Sequence, residues 1–170
     1  MNRFARFIIV FTLIAFVALS AIAQNAPVVI EKSGITVSVL IQGPNAEITV
    51  SAEAKGWVAV GFNPTKKMKD ADFLIGYVKN GVAYASDDFG TGSGSHAPDE
   101  KIGGKNTLIS FSGEEKGGRT TITFVVPVDS GDSKDAKLTP GKHTIIVGAS
   151  NSDSFTGMHN KVGKTFIVLP

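Results

Sequence analysis

The feature that most constrains this chain is a two-residue alternation of apolar and polar side chains, repeated from segment to segment with almost no helical period between. In AEITVSAE, Ile48, Val50 and Ala52 alternate with Glu47, Thr49, Ser51 and Glu53. An extended backbone sends one set to a buried face and the other to water. GITVSVLIQ puts Ile35, Val37, Val39 and Ile41 on one face, and RTTITFVVP sets Ile122, Phe124 and Val126 against Thr121, Thr123 and Val125. WVAVGF and HTIIVGA are short continuous apolar runs, the pattern of inner strands covered on both sides, and KTFIVL reads as the last strand. Asn80-Gly81, between DFLIGYVK and VAYASDD, suits the two positive φ angles of a type I′ turn. Ser112 to Gly118 reads as a longer connection of the same kind. About eight or nine short strands at this spacing predict an all-β fold, an immunoglobulin-like antiparallel β-sandwich.

The N-terminus belongs to a different argument. MNRFARF carries Arg3 and Arg6 and leads into the apolar run IIVFTLIAFVALSAIA, closed by small residues. This is the pattern of a secretory signal peptide over residues 1–23, with cleavage after Ala21-Ile22-Ala23 and one domain over 24–170. The competing reading is a retained membrane anchor. Cleavage leaves no integral membrane segment and places the product in a secreted or periplasmic setting.

The chain has 17 basic and 15 acidic groups, and removing Arg3 and Arg6 leaves 15 of each. A near-neutral domain without a basic block has no electrostatic footprint for nucleic acid or an acidic membrane surface. There is no cysteine. That excludes disulfides, iron–sulfur clusters, thiolate zinc sites, thiol catalysis and covalent haem attachment through C-x-x-C-H.

Three segments read as loops on the β frame, where ligands are commonly gripped. They are NPTKKMKDAD (63–72), the Gly/Ser-rich and mobile DDFGTGSGSHAPDE, and ASNSDSFTGMHNKVG. Met68 and Met158 both fall in such loops rather than at core positions. Taken alone, a loop Met most often packs over a core edge and a lone His is most often a surface or hydrogen-bonded residue.

The order of motifs adds what single residues lack. GWVAVGF, then Met68, then Ala71-Asp72, then FLIGYV with its Asn80-Gly81 turn, and finally GMHNKVG before the closing strand, resembles the DOMON family, in particular its haem-binding cytochrome b branch. The resemblance implies one non-covalent haem b (iron protoporphyrin IX) with Met68 and His159 as axial ligands. It also implies an apolar slot for which Trp57, Phe62, Phe73, Tyr77, Phe89 and Phe155 are candidates, with Trp57, Phe62, Phe73, Tyr77 and Phe155 as the implied cofactor-binding residues. The implied role is single-electron transfer rather than catalysis, with a redox partner protein on a separate chain, since no dehydrogenase or membrane module follows. Thioether and imidazole ligation suits a low-spin iron and raises its potential relative to two imidazoles.

Other readings stay open. Some DOMON relatives bind carbohydrates or other small molecules without redox chemistry, for which Trp57 and Tyr77 would be stacking residues, and a haem sensor or carrier would use the same ligands. His143 is the reserve imidazole, while His96 reads as a loop side chain. Lys66, Lys67, Lys69 and Lys161 flank the ligand pair and could meet haem propionates, although solvated lysines are the ordinary case. Asp70, Asp72, Asp87, Asp88, Asp99 and Glu100 raise calcium as a question, but they match no calcium-loop pattern. No serine sits in a nucleophile-elbow sequence.

Overall fold

Alternation becomes two antiparallel sheets. A computed structural model describes residues 26–170, so the signal-peptide expectation lies outside the described residues. In chain order the strands are β1 (Val28–Lys32), β2 (Ile35–Gln42), β3 (Asn45–Ala52), β4 (Val58–Phe62), β5 (Asp72–Lys79), β6 (Val82–Gly92), β7 (Ser95–Pro98), β8 (Ser110–Lys116), β9 (Arg119–Pro127), β10 (Gly141–Ala149) and β11 (Lys161–Leu169). A 3-10 turn covers Asp99–Lys101. One sheet has the order β1-β2-β3-β9-β8 and the other β11-β10-β4-β5-β6-β7. No helix among the described residues is long and apolar enough to cross a membrane.

The faces predicted to be apolar meet between the sheets. Ile35, Val37, Val39, Ile48, Val50, Ile122 and Phe124 from the first sheet pack against Val58, Val60, Phe62, Leu74, Ile145, Val147 and Ile167 of the second. The opposite face of the first sheet is hydroxyl-rich, with Thr49 bonded to Thr123 at 2.9 Å and Ser51 to Thr121 at 2.8 Å. Such cross-strand pairs add a small stabilisation to a face that water also wets. Asn80 and Gly81 take φ of 53° and 75° between Lys79 and its partner Val82, as the type I′ turn requires.

Three expectations are corrected. Eleven strands are present among the described residues, not eight or nine. Ser112 to Gly118 is not a long connection, because β8 runs to Lys116 and turns through Gly117-Gly118 alone, both at positive φ. β8 is an edge strand with mostly exposed side chains, so backbone pairing with β9 holds it without an apolar face to betray it. The Gly/Ser-rich segment is likewise not a loop: β6 continues to Gly92 and pairs with β7 around a bulge.

The second sheet carries buried acids near the start of β5. Asp87 and Asp99 are 3% and 1% exposed. Asp72 accepts from the Ala136 N–H at 2.9 Å, and Asp87 accepts from the Thr107 N–H and hydroxyl at 2.8 and 3.0 Å. Burial, reinforced by neighbouring carboxylates, outweighs these bonds. It pushes Asp72 well above the usual carboxylate range, Asp87 up to about 6 and Asp99 up to about 8. A carboxyl group with a raised folded-state pKa binds its proton more tightly in the folded protein, so its contribution is full below about pH 4 and is lost as pH rises through the folded value. In chelator-treated buffer the melting temperature is therefore expected to fall between pH 5 and pH 8.5. A melting temperature that climbs over this range contradicts the burial of these groups.

Candidate functional site

β4 is buried from Val58 to Phe62 without a break. Val58, Val60 and Phe62 face the other sheet, while Ala59 and the preceding Trp57 face outward and floor a cleft of about 790 Å³. Phe73 and Ile75 of β5, Ile146 and Gly148 of β10, and Val162 and Lys164 of β11 extend that floor across the sheet. The volume lies within the range of about 300–1,000 Å³ usual for cofactor and ligand sites.

Two glycines keep the floor flat. A Cβ on Gly61 would sit 2.6 Å from the Phe73 ring, and one on Gly148 would sit 3.1 Å from the Trp57 ring. Both aromatic rings therefore lie down along the sheet, where a larger residue would force them upright.

The register of β4 and β10 decides where the rims stand. Phe62 pairs with Ile145 and Val58 with Ala149, so the connection after Phe62 and the connection after Ala149 leave the sheet at opposite ends. The length of β4 between them is about 13 Å. Met68 comes from the first connection, residues 63–71, and Phe155, Met158 and His159 come from the second, residues 150–160; all four line the same cleft.

Both rims are fastened. In the first, Thr65 N–H donates to Lys69 O at 2.9 Å, and Asp70 N–H donates to Gly90 O while Gly90 N–H donates to Ala71 O, each at 2.8 Å. The Met68 carbonyl rests directly on Gly90, where any Cβ would collide with it. In the second, Trp57 Nε1–H donates to Gly157 O at 3.2 Å and the Ser150 hydroxyl to Met158 O at 2.7 Å. Met68 is half-buried and His159 exposed, whereas Met158 is 83% exposed.

Of the seven predicted site residues, Trp57, Met68, Phe73, Phe155 and His159 line the cleft. Phe62 does not: it is 1% exposed and belongs to the core between the sheets, because its neighbours of opposite parity on β4 take the outer face. Tyr77 stands behind the lining, its ring 4.9 Å from Phe155 and stacked 5.1 Å from Tyr84. Phe89 lies away from it, under the Lys134 ammonium. Among the lysines, Lys67 and Lys164 line the cleft, while the Lys161 ammonium donates to Glu53 O at 2.9 Å.

His143 is set apart from the cleft. It is 6% exposed, with Nε2 at 2.7 Å from Thr139 O and Nδ1 at 3.3 Å from the Asn63 amide. Both ring nitrogens are occupied, leaving neither for a metal. His96, by contrast, does line the cleft. Its Nδ1 donates to buried Asp88 at 2.5 Å, Asp88 also accepts from the Ser86 hydroxyl, and the His96 ring stands 5.7 Å from that of Phe73. The signal was the parity of β6: Asp88 pairs with Phe73 and so faces the cleft, whereas Asp87 pairs with Leu74 and faces inward.

A flat apolar floor between a thioether rim and an imidazole rim, with two lysines at the edge, fits a planar apolar group bearing a metal and peripheral carboxylates. Residues 31–151 match the DOMON domain. This chain belongs to the DOMON family. The DOMON fold seen here is shared with the cytochrome domain of Myriococcum thermophilum cellobiose dehydrogenase, at 13% identity and a TM-score of 0.59 over 82% of this chain and 76% of that one. It is shared equally with the cytochrome b domain of pyranose dehydrogenase from Coprinopsis cinerea, at 12% identity and a TM-score of 0.59 over 79% and 76%. Gly90→Ala is expected to lift the Met68 rim of this DOMON domain and to cost about 1–3 kcal/mol in urea unfolding. An unchanged unfolding midpoint would show that the rim does not rest on β6.

Proposed function

We propose that this DOMON domain is an exported b-type cytochrome that binds one haem b non-covalently through Met68 and His159 and passes single electrons to or from a partner protein on a separate chain. The observation that supports it is the convergence of Met68 and His159, remote in sequence, on one cleft from opposite ends of its floor. When bound, the haem supplies a one-electron couple between ferric and ferrous iron.

The remaining work falls to the chain. Met68 would hold the haem iron through a soft sulfur and His159 through an imidazole nitrogen, a donor pair that would suit electron transfer. Trp57, Phe73, Ile75 and Phe155 exclude water from the floor, which lowers the local dielectric around the iron and helps set its potential. Lys67 and Lys164 suit propionate groups at the rim. The domain acts as an electron carrier rather than an enzyme, and transient redox encounters of this sort use small interfaces.

A carbohydrate module of the same fold would need an open aromatic face. Trp57 is 6% exposed and spends its N–H on Gly157, and Tyr77 packs against Phe155 and Tyr84, so neither stacking residue projects freely to meet a sugar. The redox reading is the better supported.

Titration of the purified protein with haemin tests it. A Soret band with sharp reduced α and β bands is expected, unmoved by moderate carbon monoxide, and Met68→Ala and His159→Ala should each lose the low-spin spectrum or haem retention. His143→Ala and Met158→Ala should keep both. Loss on His143→Ala with His159→Ala silent contradicts the ligand assignment, and a protein that takes up no haemin contradicts the function.

A further inference from the structure

On the face of β5 turned away from the cleft, a second polar site lies between the sheets. Asp72 opens β5, Asp87 stands opposite its neighbour Leu74 on β6, and Asp135 arrives from the connection between β9 and β10. One carboxylate oxygen from each lies within 4.8 Å of the other two. A cavity of about 10 Å³ is lined by these three acids together with Ile48, Phe62 and Leu74. That is room for one water molecule or one ion.

The bonding of these acids is incomplete. Asp72 and Asp87 each receive backbone N–H bonds, from Ala136 and Thr107. Both oxygens of Asp135 are sealed from solvent with no hydrogen-bond partner, and so is Oδ1 of Asp99, a residue 1% exposed. Asp99 lies beside the same connection: a Cβ on Gly104 would meet both Asp99, at 3.1 Å, and Lys134, the residue before Asp135, at 2.8 Å. None of the ion pairs among the described residues reaches any of the four.

Buried like charges with no counter-charge are costly and must be neutralised. Protons are one means and a cation the other. A cation satisfies orphaned carboxylate oxygens directly.

We infer that Asp72, Asp87 and Asp135, with Asp99 beside them, form a binding site for calcium. Oxygen-only ligands from separate segments, in an irregular arrangement, suit calcium's tolerance of coordination number and angle better than the strict octahedron of magnesium. The ion would tie the first residue after the Met68 rim to β6 and to the β9–β10 connection. It does so whether or not the cleft holds a haem, so its test is independent of the redox reading.

The experiment is calorimetric titration of the chelator-treated protein with calcium chloride at pH 7.5, paired with thermal melts. One calcium per chain and a rise in melting temperature of about 5 °C or more at saturation are expected. Asp135→Asn and Asp87→Asn should each abolish both, and Asp129→Asn, an exposed acid, should abolish neither. In chelator, Asp135→Asn should melt no lower than the parent, because the amide brings N–H donors to a cluster made only of acceptors. Absence of calcium heat from the parent protein, or its survival in both Asp135→Asn and Asp87→Asn, overturns the site.

Discussion

A strand that is apolar on both faces has to be covered twice, and β4 is such a strand. One cover is the opposing sheet, which receives Val58, Val60 and Phe62. The other is not a sheet: β10 and β5 pair only with the edges of β4, and the described residues form no third sheet to lie on its outer face. What covers it instead is a set of loops that arch over Trp57 and Ala59 and leave a cleft beneath them. Burial of apolar area stabilises both sides, but only the inner side is packed shut. The cleft lies on the outer side of a doubly buried sheet.

The two rims stay in place for different physical reasons. The Met68 connection is held by backbone bonds to Gly90 and by three left-handed residues, Asn63, Lys67 and Asp70, which spend conformational energy to bring the chain round in a short span. The His159 connection is tied chiefly by Trp57, whose ring serves as floor while its N–H anchors Gly157. Loss of the indole would therefore disturb floor and rim together. Beneath the Met68 rim, Asp72 turns the other way and joins the buried acids, so the root of one rim and the acid cluster share a strand end.

Much of this was legible from residues alone, for reasons that can be named. β2, β3 and β9 each have one wet face, and period two is visible only when the faces differ. The buried runs WVAVGF and HTIIVGA announced coverage on both sides without revealing what the second cover was. β7 gave no signal and β8 only its first residues, in LISF, because strands held by backbone bonds with solvated side chains leave little hydrophobic trace. Phe62 looked like a pocket residue since parity on β4 cannot be assigned until its partners are known. Asp87 and Asp88, adjacent in sequence, divide between core and cleft, and neither Asp135 nor His96 could be joined to them before the sheet register was in hand.

Two imidazoles now border the cleft, His159 on a rim and His96 held by Asp88, so the identity of the sulfur ligand carries the account. The near-infrared magnetic circular dichroism of the ferric haemin complex reads the axial pair directly, since thioether–imidazole and bis-imidazole ligation give charge-transfer bands at different energies. The account predicts the thioether–imidazole band in the parent protein. A bis-imidazole band, which would mean that His96 and not Met68 faces His159 across the iron, contradicts it.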